Sequence, residues 1–170
     1  GNSSGKIKTT APLFWSFDKK DTRRDITCVP YQIKTNGGLT KETFDSNKPF
    51  ELYIGKWDVR KMTEDWRDAA CASTEKVPTG INEIKMRYSQ VLLNYAECIN
   101  ELNGPDDATD GAGLTARQAL ALVHTRAFAE NAKSAAQDYV NSLPTDKEGF
   151  FNAIVDENAW EFTGEGVRKF

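Results

Sequence analysis

Residues 87–104 read Arg87-Tyr88-Ser89-Gln90-Val91-Leu92-Leu93-Asn94-Tyr95-Ala96-Glu97-Cys98-Ile99-Asn100-Glu101-Leu102-Asn103-Gly104. The apolar positions Val91, Leu92, Tyr95, Cys98, Ile99 and Leu102 recur as one face of an amphipathic α-helix does. Asn103-Gly104-Pro105 closes it, because glycine accepts the left-handed turn past a helix and proline cannot continue one. Cys98 falls on this stripe and is expected to be a buried thiol behaving as a small hydrophobe.

Working outward, a loop at 104–113 rich in Gly and Asp leads to Thr115-Ala116-Arg117-Gln118, a capping-box pattern. Ala119, Leu120, Val123 and Ala127 then form the stripe of a second helix over 115–128. A third, weaker helix is expected over 132–141, where Ala132, Ala135, Ala136, Tyr139 and Val140 share a face before Pro144 stops it. Thr145-Asp146-Lys147-Glu148 is read as another capping box, opening a helix with Phe151, Ile154, Val155, Ala159 and Phe162 on its stripe and an end near Thr163-Gly164.

The chain changes character near Gly80. Residues 1–80 hold four of the six prolines and four alanines, against thirteen alanines in 81–170, and alanine is the best helix former. The first part therefore reads as loop-rich with short strands and the second as helical. Ile26, Cys28, Tyr31 and Ile33 alternate imperfectly around Pro30 and precede Asn36-Gly37-Gly38, the signature of a short ribbon. Phe50 to Ile54 reads as another strand closed by Gly55, and 63–80 as an exposed loop. A helical pair of this length cannot bury its whole apolar stripe alone, so the expected class is mainly α, with helices that stack on further helical pairs.

Composition removes several functions. With 22 Lys+Arg against 25 Asp+Glu the net charge is −3, so no positive field gathers phosphates and nucleic acid is not expected as a partner. No run of 18 or more apolar residues exists to span a bilayer as a helix. Three cysteines without C-x-x-C spacing and a single histidine, His124, argue against a zinc site, a disulfide framework or a histidine-dependent nucleophile. No cofactor is expected.

Four blocks carry a family resemblance. Residues 87–104 resemble the R-Y-x-x-V-L-L-x-Y-A-E-x-x-N-E-x-x-G helix of the SusD/RagB family, outer-membrane lipoproteins of the Bacteroidetes that capture nutrients, usually glycans. Asp21-Thr22-Arg23-Arg24-Asp25 is similar to the family's D-x-R-R-D, Val123-His124-Thr125-Arg126-Ala127 to its V-R-x-R-A, and 156–168 to its E-R-x-W-E-F-x-G-E-G-x-R. Asn158 and His124 stand where the family pattern carries arginine, and Ser89-Gln90 replaces a more usual pairing with aspartate.

The resemblance implies one SusD/RagB-like domain in which tetratricopeptide-like helix pairs support ligand-binding loops. It implies a glycan or other nutrient as ligand, a TonB-dependent outer-membrane transporter as partner, and a place at the cell surface. The family's chains are several times longer, the D-L-x-R after G-E-G-x-R-K-F is missing, and no cysteine lies in an N-terminal lipobox, so the chain is expected to be a C-terminal fragment whose lipid anchor lies outside it.

Within the helices, Arg87, Glu97, Arg126, Glu157, Glu161 and Arg168 are flanked by apolar residues and are expected to form a partly buried ion-pair network. The alternative is that Glu157 and Glu161 are the acid and base of a glycosidase. One helical turn sets them side by side, whereas glycosidase carboxylates flank the scissile bond. His124 is expected at a packed helix edge or in solvent. Sugar recognition needs flat apolar faces beside fixed polar groups. Trp15, Trp57, Trp66 and Tyr53 are the candidates, with Trp57 and Trp160 expected in the core. The ligand-binding set is Trp66 with Arg67 and Asp65 as hydroxyl partners, and Tyr53. A helical-repeat interaction module with no small ligand is the second functional reading.

Overall fold

A computed structural model of the chain describes residues 8–31, 52–58, 62–72 and 84–167. It is mainly helical, with one small sheet. Two compact units are present, one of Gly1–Ser16 with Arg24–Glu83 and the other of Phe17–Arg23 with Ile84–Phe170.

In the first unit, β1 (Lys8–Thr9), β2 (Cys28–Val29) and β3 (Leu52–Ile54) form an antiparallel sheet of order β1-β3-β2. Lys8 lies opposite Tyr53 and Thr9 opposite Leu52, while Cys28 faces Ile54 and Val29 faces Tyr53. Leu52, Cys28 and Val29 are buried. The strands expected near residues 28 and 52 thus exist and pair with each other, while the proposed turn at Asn36-Gly37-Gly38 lies outside the described residues. Helix α1 (Ala11–Ser16) starts where Phe14 N–H donates to the Thr10 carbonyl at 3.1 Å. Helix α2 covers Thr22–Thr27.

The expected loop at 63–80 is corrected in its first half. Glu64–Ala72 is a helix, α3, with Glu64 and Asp65 in the first turn, where carboxylates favour the positive end of the helix dipole. Glu64 reaches Arg67 at 3.4 Å, and three alanines supply propensity that the polar composition hid. Trp57, expected in the core, is instead 42% exposed, just past the point where β3 ends and pairing stops.

The second unit is built on α4 (Tyr88–Asn103), α5 (Ala116–His124), α6 (Lys133–Ser142) and α7 (Lys147–Phe162). Its core joins Leu92, Leu93, Ala96 and Ile99 of α4 to Ala116, Ala119, Leu120 and Val123 of α5, with Val140, Phe150, Ile154 and Phe162 packed on them. Fully buried Ala96, Ala116 and Ala119 let the first two helices approach closely. Gly104 ends α4 with φ +90°, a conformation L side chains rarely adopt, and its N–H reaches the Asn100 carbonyl at 2.9 Å. The loop after it is pinned by Tyr95, whose hydroxyl donates to the Leu114 carbonyl at 2.7 Å and accepts from the Ala112 N–H at 2.9 Å. Gly111 leaves room for it, since a Cβ there would lie 2.2 Å from that hydroxyl and displace it.

The capping box at Thr115 forms as expected: its side chain accepts from Gln118 N–H at 3.1 Å, and Gln118 accepts from Thr115 N–H at 2.9 Å. The box expected at Thr145 does not. Asp146 is the cap, accepting from Gly149 N–H at 2.7 Å, so α7 starts one residue later. Past α5 the chain tightens into short 3-10 turns at Thr125–Ala127 and Glu130–Ala132 before α6. Arg117 fixes the turn into α7: it pairs with both Asp106 oxygens at 2.6 and 2.9 Å, donates to the carbonyls of Val140, Leu143 and Pro144, and lies over the Phe150 ring.

Two stripe assignments shift. Cys98 is exposed rather than buried, as are Val91 and Leu102. The buried face of α4 is turned toward Ser89, Leu93, Ala96 and Asn100. On α7, Phe151 is 40% exposed and Phe150 takes the core position. Phe150→Ala is therefore expected to cost about 3–5 kcal/mol in urea denaturation, and Phe151→Ala less than about half as much. Equal losses would place the helix face incorrectly.

Candidate functional site

The densest chemistry in the second unit is a cluster of charges around Arg23. Asp21 and Arg23 come from the Phe17–Arg23 segment, which the fold ties to the region after α5. Thr22 donates its hydroxyl to the Ala127 carbonyl at 2.7 Å, and Asp21 pairs with Phe128 in an isolated antiparallel bridge. Asp21 accepts from the backbone N–H, Nε and Nη2 of Arg23 at 2.9, 3.0 and 2.7 Å, which fixes the guanidinium plane. Nη1 then reaches α7, donating to Glu157 Oε1 at 2.6 Å and Glu161 Oε2 at 2.8 Å. One arginine thus serves three carboxylates, all of them buried.

Glu161 is held from two further sides. Arg87, just ahead of α4, donates to its Oε1 and, through Nη2, to its backbone carbonyl at 2.7 Å. Arg87 also grips Glu165 with two bonds of 2.7 and 2.9 Å and lies over the Phe162 ring at 4.5 Å. Arg126 Nη2 adds a contact of 2.5 Å, although its side chain is 59% exposed. Burial disfavours the Glu161 carboxylate charge, yet the hydrogen bonds from Arg87 and Arg23 overcome it and hold its pKa at about 2. Burial likewise works against the Arg23 charge, and Glu157 and Asp21 reverse that effect, so this guanidinium stays charged. Glu165 and Glu161 do the same for Arg87.

His124 completes the cluster from α5. Its Nδ1 lies 2.7 Å from Glu157 Oε2. With that carboxylate already accepting from Arg23, Nδ1 carries a proton and donates. The ring is buried among Tyr139, Phe128 and Trp160, with centroids at 4.8, 5.0 and 6.0 Å. The histidine expected at a packed edge or in solvent is in fact an interior donor. Trp160 is buried as expected and also meets Phe17 at 6.2 Å.

The network expected from sequence is present around Arg87, Arg126, Glu157 and Glu161. Glu97 is exposed and takes no part, and Arg168 lies outside the described residues. Arg23, Asp21, His124 and Glu165 join it from outside the set that the sequence marks. The adjacent acid and base in Asp21-Thr22-Arg23 were the available signal. Chemically, an ionised Glu161 wrapped by three guanidiniums has no proton to give near neutrality and no free lone pair aimed at solvent, so the cluster is a brace. Among the described residues no group of His, Cys, Asp and Glu could hold a metal ion, and no helix is long and apolar enough to cross a membrane.

The residues chosen as ligand contacts lie in the first unit. Asp65, Trp66 and Arg67 are consecutive on α3, with Trp66 57% exposed and Arg67 between Glu64 at 3.4 Å and Asp68 at 3.3 Å. Tyr53 is on β3, half-buried, with Lys8 Nζ 5.8 Å from its ring centroid.

Removing the charge at the centre of the brace, Glu161→Gln, is expected to cost about 3–5 kcal/mol, because several guanidiniums lose their counterion. Arg126→Ala, at the exposed rim, should cost less than about 1 kcal/mol. The pH dependence has a definite sign. A depressed carboxylate pKa stabilises the fold above the unfolded-state value of about 4.3. That contribution is lost as pH falls toward the folded value of about 2. Urea midpoints should therefore drop across this window in the parent chain and drop less in Glu161→Gln. Parallel curves would contradict the brace.

Comparison with known proteins agrees with this architecture. The SusD family model matches residues 2–170. A SusD-like protein of Formosa agariphila is 37% identical over 169 residues, covering 99% of this chain. The chain spans about a quarter of that relative's length, 25%. No solved structure matches it. The family model matches nearly the whole chain, and all four sequence blocks contribute side chains to one buried ion-pair cluster; this chain is a member of the SusD family.

Proposed function

We propose that the chain contributes to non-catalytic glycan capture at the outer-membrane surface, passing ligand to a TonB-dependent transporter. The observation that carries this reading is how the polar and apolar groups are divided. The buried acids are spent on arginines in the second unit, while the exposed tryptophans among the described residues, Trp15, Trp57 and Trp66, all lie in the first. A catalytic pair would need at least one carboxylate free to exchange a proton. A capture site needs flat apolar surface beside fixed hydrogen-bonding groups, and α3 offers Trp66 flanked by Asp65 and Arg67, with Tyr53 as a further aromatic. Arg67 is pre-positioned by Glu64 and Asp68, which lowers the ordering cost of binding a hydroxyl.

A second reading, a helical-repeat interaction module without a small ligand, is favoured by one observation. Tyr88, Val91 and Leu102 leave exposed apolar surface along α4. Calorimetry separates the two. A panel of soluble oligosaccharides should give binding heat with this chain, and Trp66→Ala should weaken the best ligand by about tenfold. Heat from no glycan would favour the interaction module. New reducing ends on those glycans, abolished in Glu157→Gln, would instead establish a hydrolase.

A further inference from the structure

We propose that Trp15 is a second stacking platform for a pyranose ring, built into α1 and held in place by Phe14, Arg24 and Asp25; the proposal rests on the glycan reading above. Trp15 is 72% exposed, more than any other tryptophan among the described residues. Its ring nevertheless has an aromatic neighbour. Phe14 meets it edge-to-face, with centroids 5.2 Å apart and planes at 88°. The guanidinium of Arg24 lies over the Phe14 ring at 5.1 Å. Arg24 is oriented in turn by Asp25, through Nε to Oδ1 at 2.8 Å and Nη2 to Oδ2 at 3.2 Å. A row of four side chains thus runs from an indole to a half-open ion pair, with Asp25 on its solvent side.

This arrangement differs from the other exposed tryptophans. Among the described residues neither Trp57 nor Trp66 makes a ring contact, so each must lose side-chain freedom when a ligand orders it. Trp15 has one ring contact that restricts it before a ligand arrives. An edge-to-face contact covers at most one face of an indole, and the high exposure shows that apolar surface remains open. The helix beneath is tied at both ends: Leu13 N–H reaches Thr10 Oγ1 at 3.4 Å, and Ser16 Oγ donates to the Leu13 carbonyl at 2.8 Å. An exposed apolar plate joined through Phe14 to a guanidinium–carboxylate pair has the composition that carbohydrate recognition requires. The plate meets the C–H face of a sugar, and the pair can accept from and donate to hydroxyls.

The test is titration calorimetry of the chain and its Trp15→Ala, Trp15→Phe and Trp66→Ala variants with maltohexaose, laminarihexaose, cellohexaose and xylohexaose. Thermal melting of each variant is recorded in parallel. Trp15→Ala should weaken the best-bound glycan by about tenfold or more without lowering the melting temperature, and Trp15→Phe should stay within about threefold of the parent. Unchanged affinity in Trp15→Ala, with Trp66→Ala impaired, would overturn the platform and leave the glycan reading standing. Equal losses in both Trp15 variants with a lowered melting temperature would also overturn it, as damage to the fold. No heat from any of the four would sink the glycan reading and the platform together.

Discussion

A guanidinium shared by three buried carboxylates can be satisfied in few geometries, and Arg23 imposes that constraint on the second unit. Asp21 fixes its plane from the same segment, while Glu157 and Glu161, one turn apart on α7, meet its outer edge. Because Glu161 also binds Arg87 ahead of α4, and Glu157 binds His124 at the end of α5, the register of α7 against both helices follows from the same few bonds. Desolvating so many charges brings little net stability in itself; its effect is to penalise arrangements that leave one unpaired. Apolar packing of α4 on α5 supplies the favourable energy, and the ion pairs choose among packings.

Much of this was legible from residue order. The helical second part, its boundaries at Gly104 and Thr115, and the burial of Leu92, Ile99, Leu120 and Val123 follow from periodicity and capping. The face of α4 was misjudged because apolar residues surround that helix, and hydrophobicity alone could not show that Ser89 and Asn100 turn inward. Each has a partner inside: Ser89 Oγ accepts from Arg87 at 2.9 Å, and Asn100 Nδ2 donates to the Lys147 carbonyl at 2.9 Å. The brace was half visible. Pairs within helices show as spacing, whereas Arg23 to Glu157 spans 134 positions and leaves no local trace. Helix α3 was missed because its signal lies in first-turn acids and alanines rather than in an apolar stripe.

The same logic explains where function is sought. Titratable groups locked in reciprocal bonds support shape, and the guanidiniums around Glu161 hold that carboxylate ionised. Exposed aromatic rings have no such internal purpose. Trp15 and Trp66 are apolar surface that the first unit leaves uncovered, and surface of that kind on small elements is suited to stacking against a ligand.

The central claim is that Arg23 and Glu157 act as one unit rather than as two separately useful residues. A double-mutant cycle with Arg23→Met, Glu157→Gln and the double variant, followed by urea denaturation, measures this directly. The account predicts a coupling energy of about 2 kcal/mol or more, with the double variant less damaged than the sum of the singles. Additivity to within about 0.5 kcal/mol would show that the pair does not organise the fold.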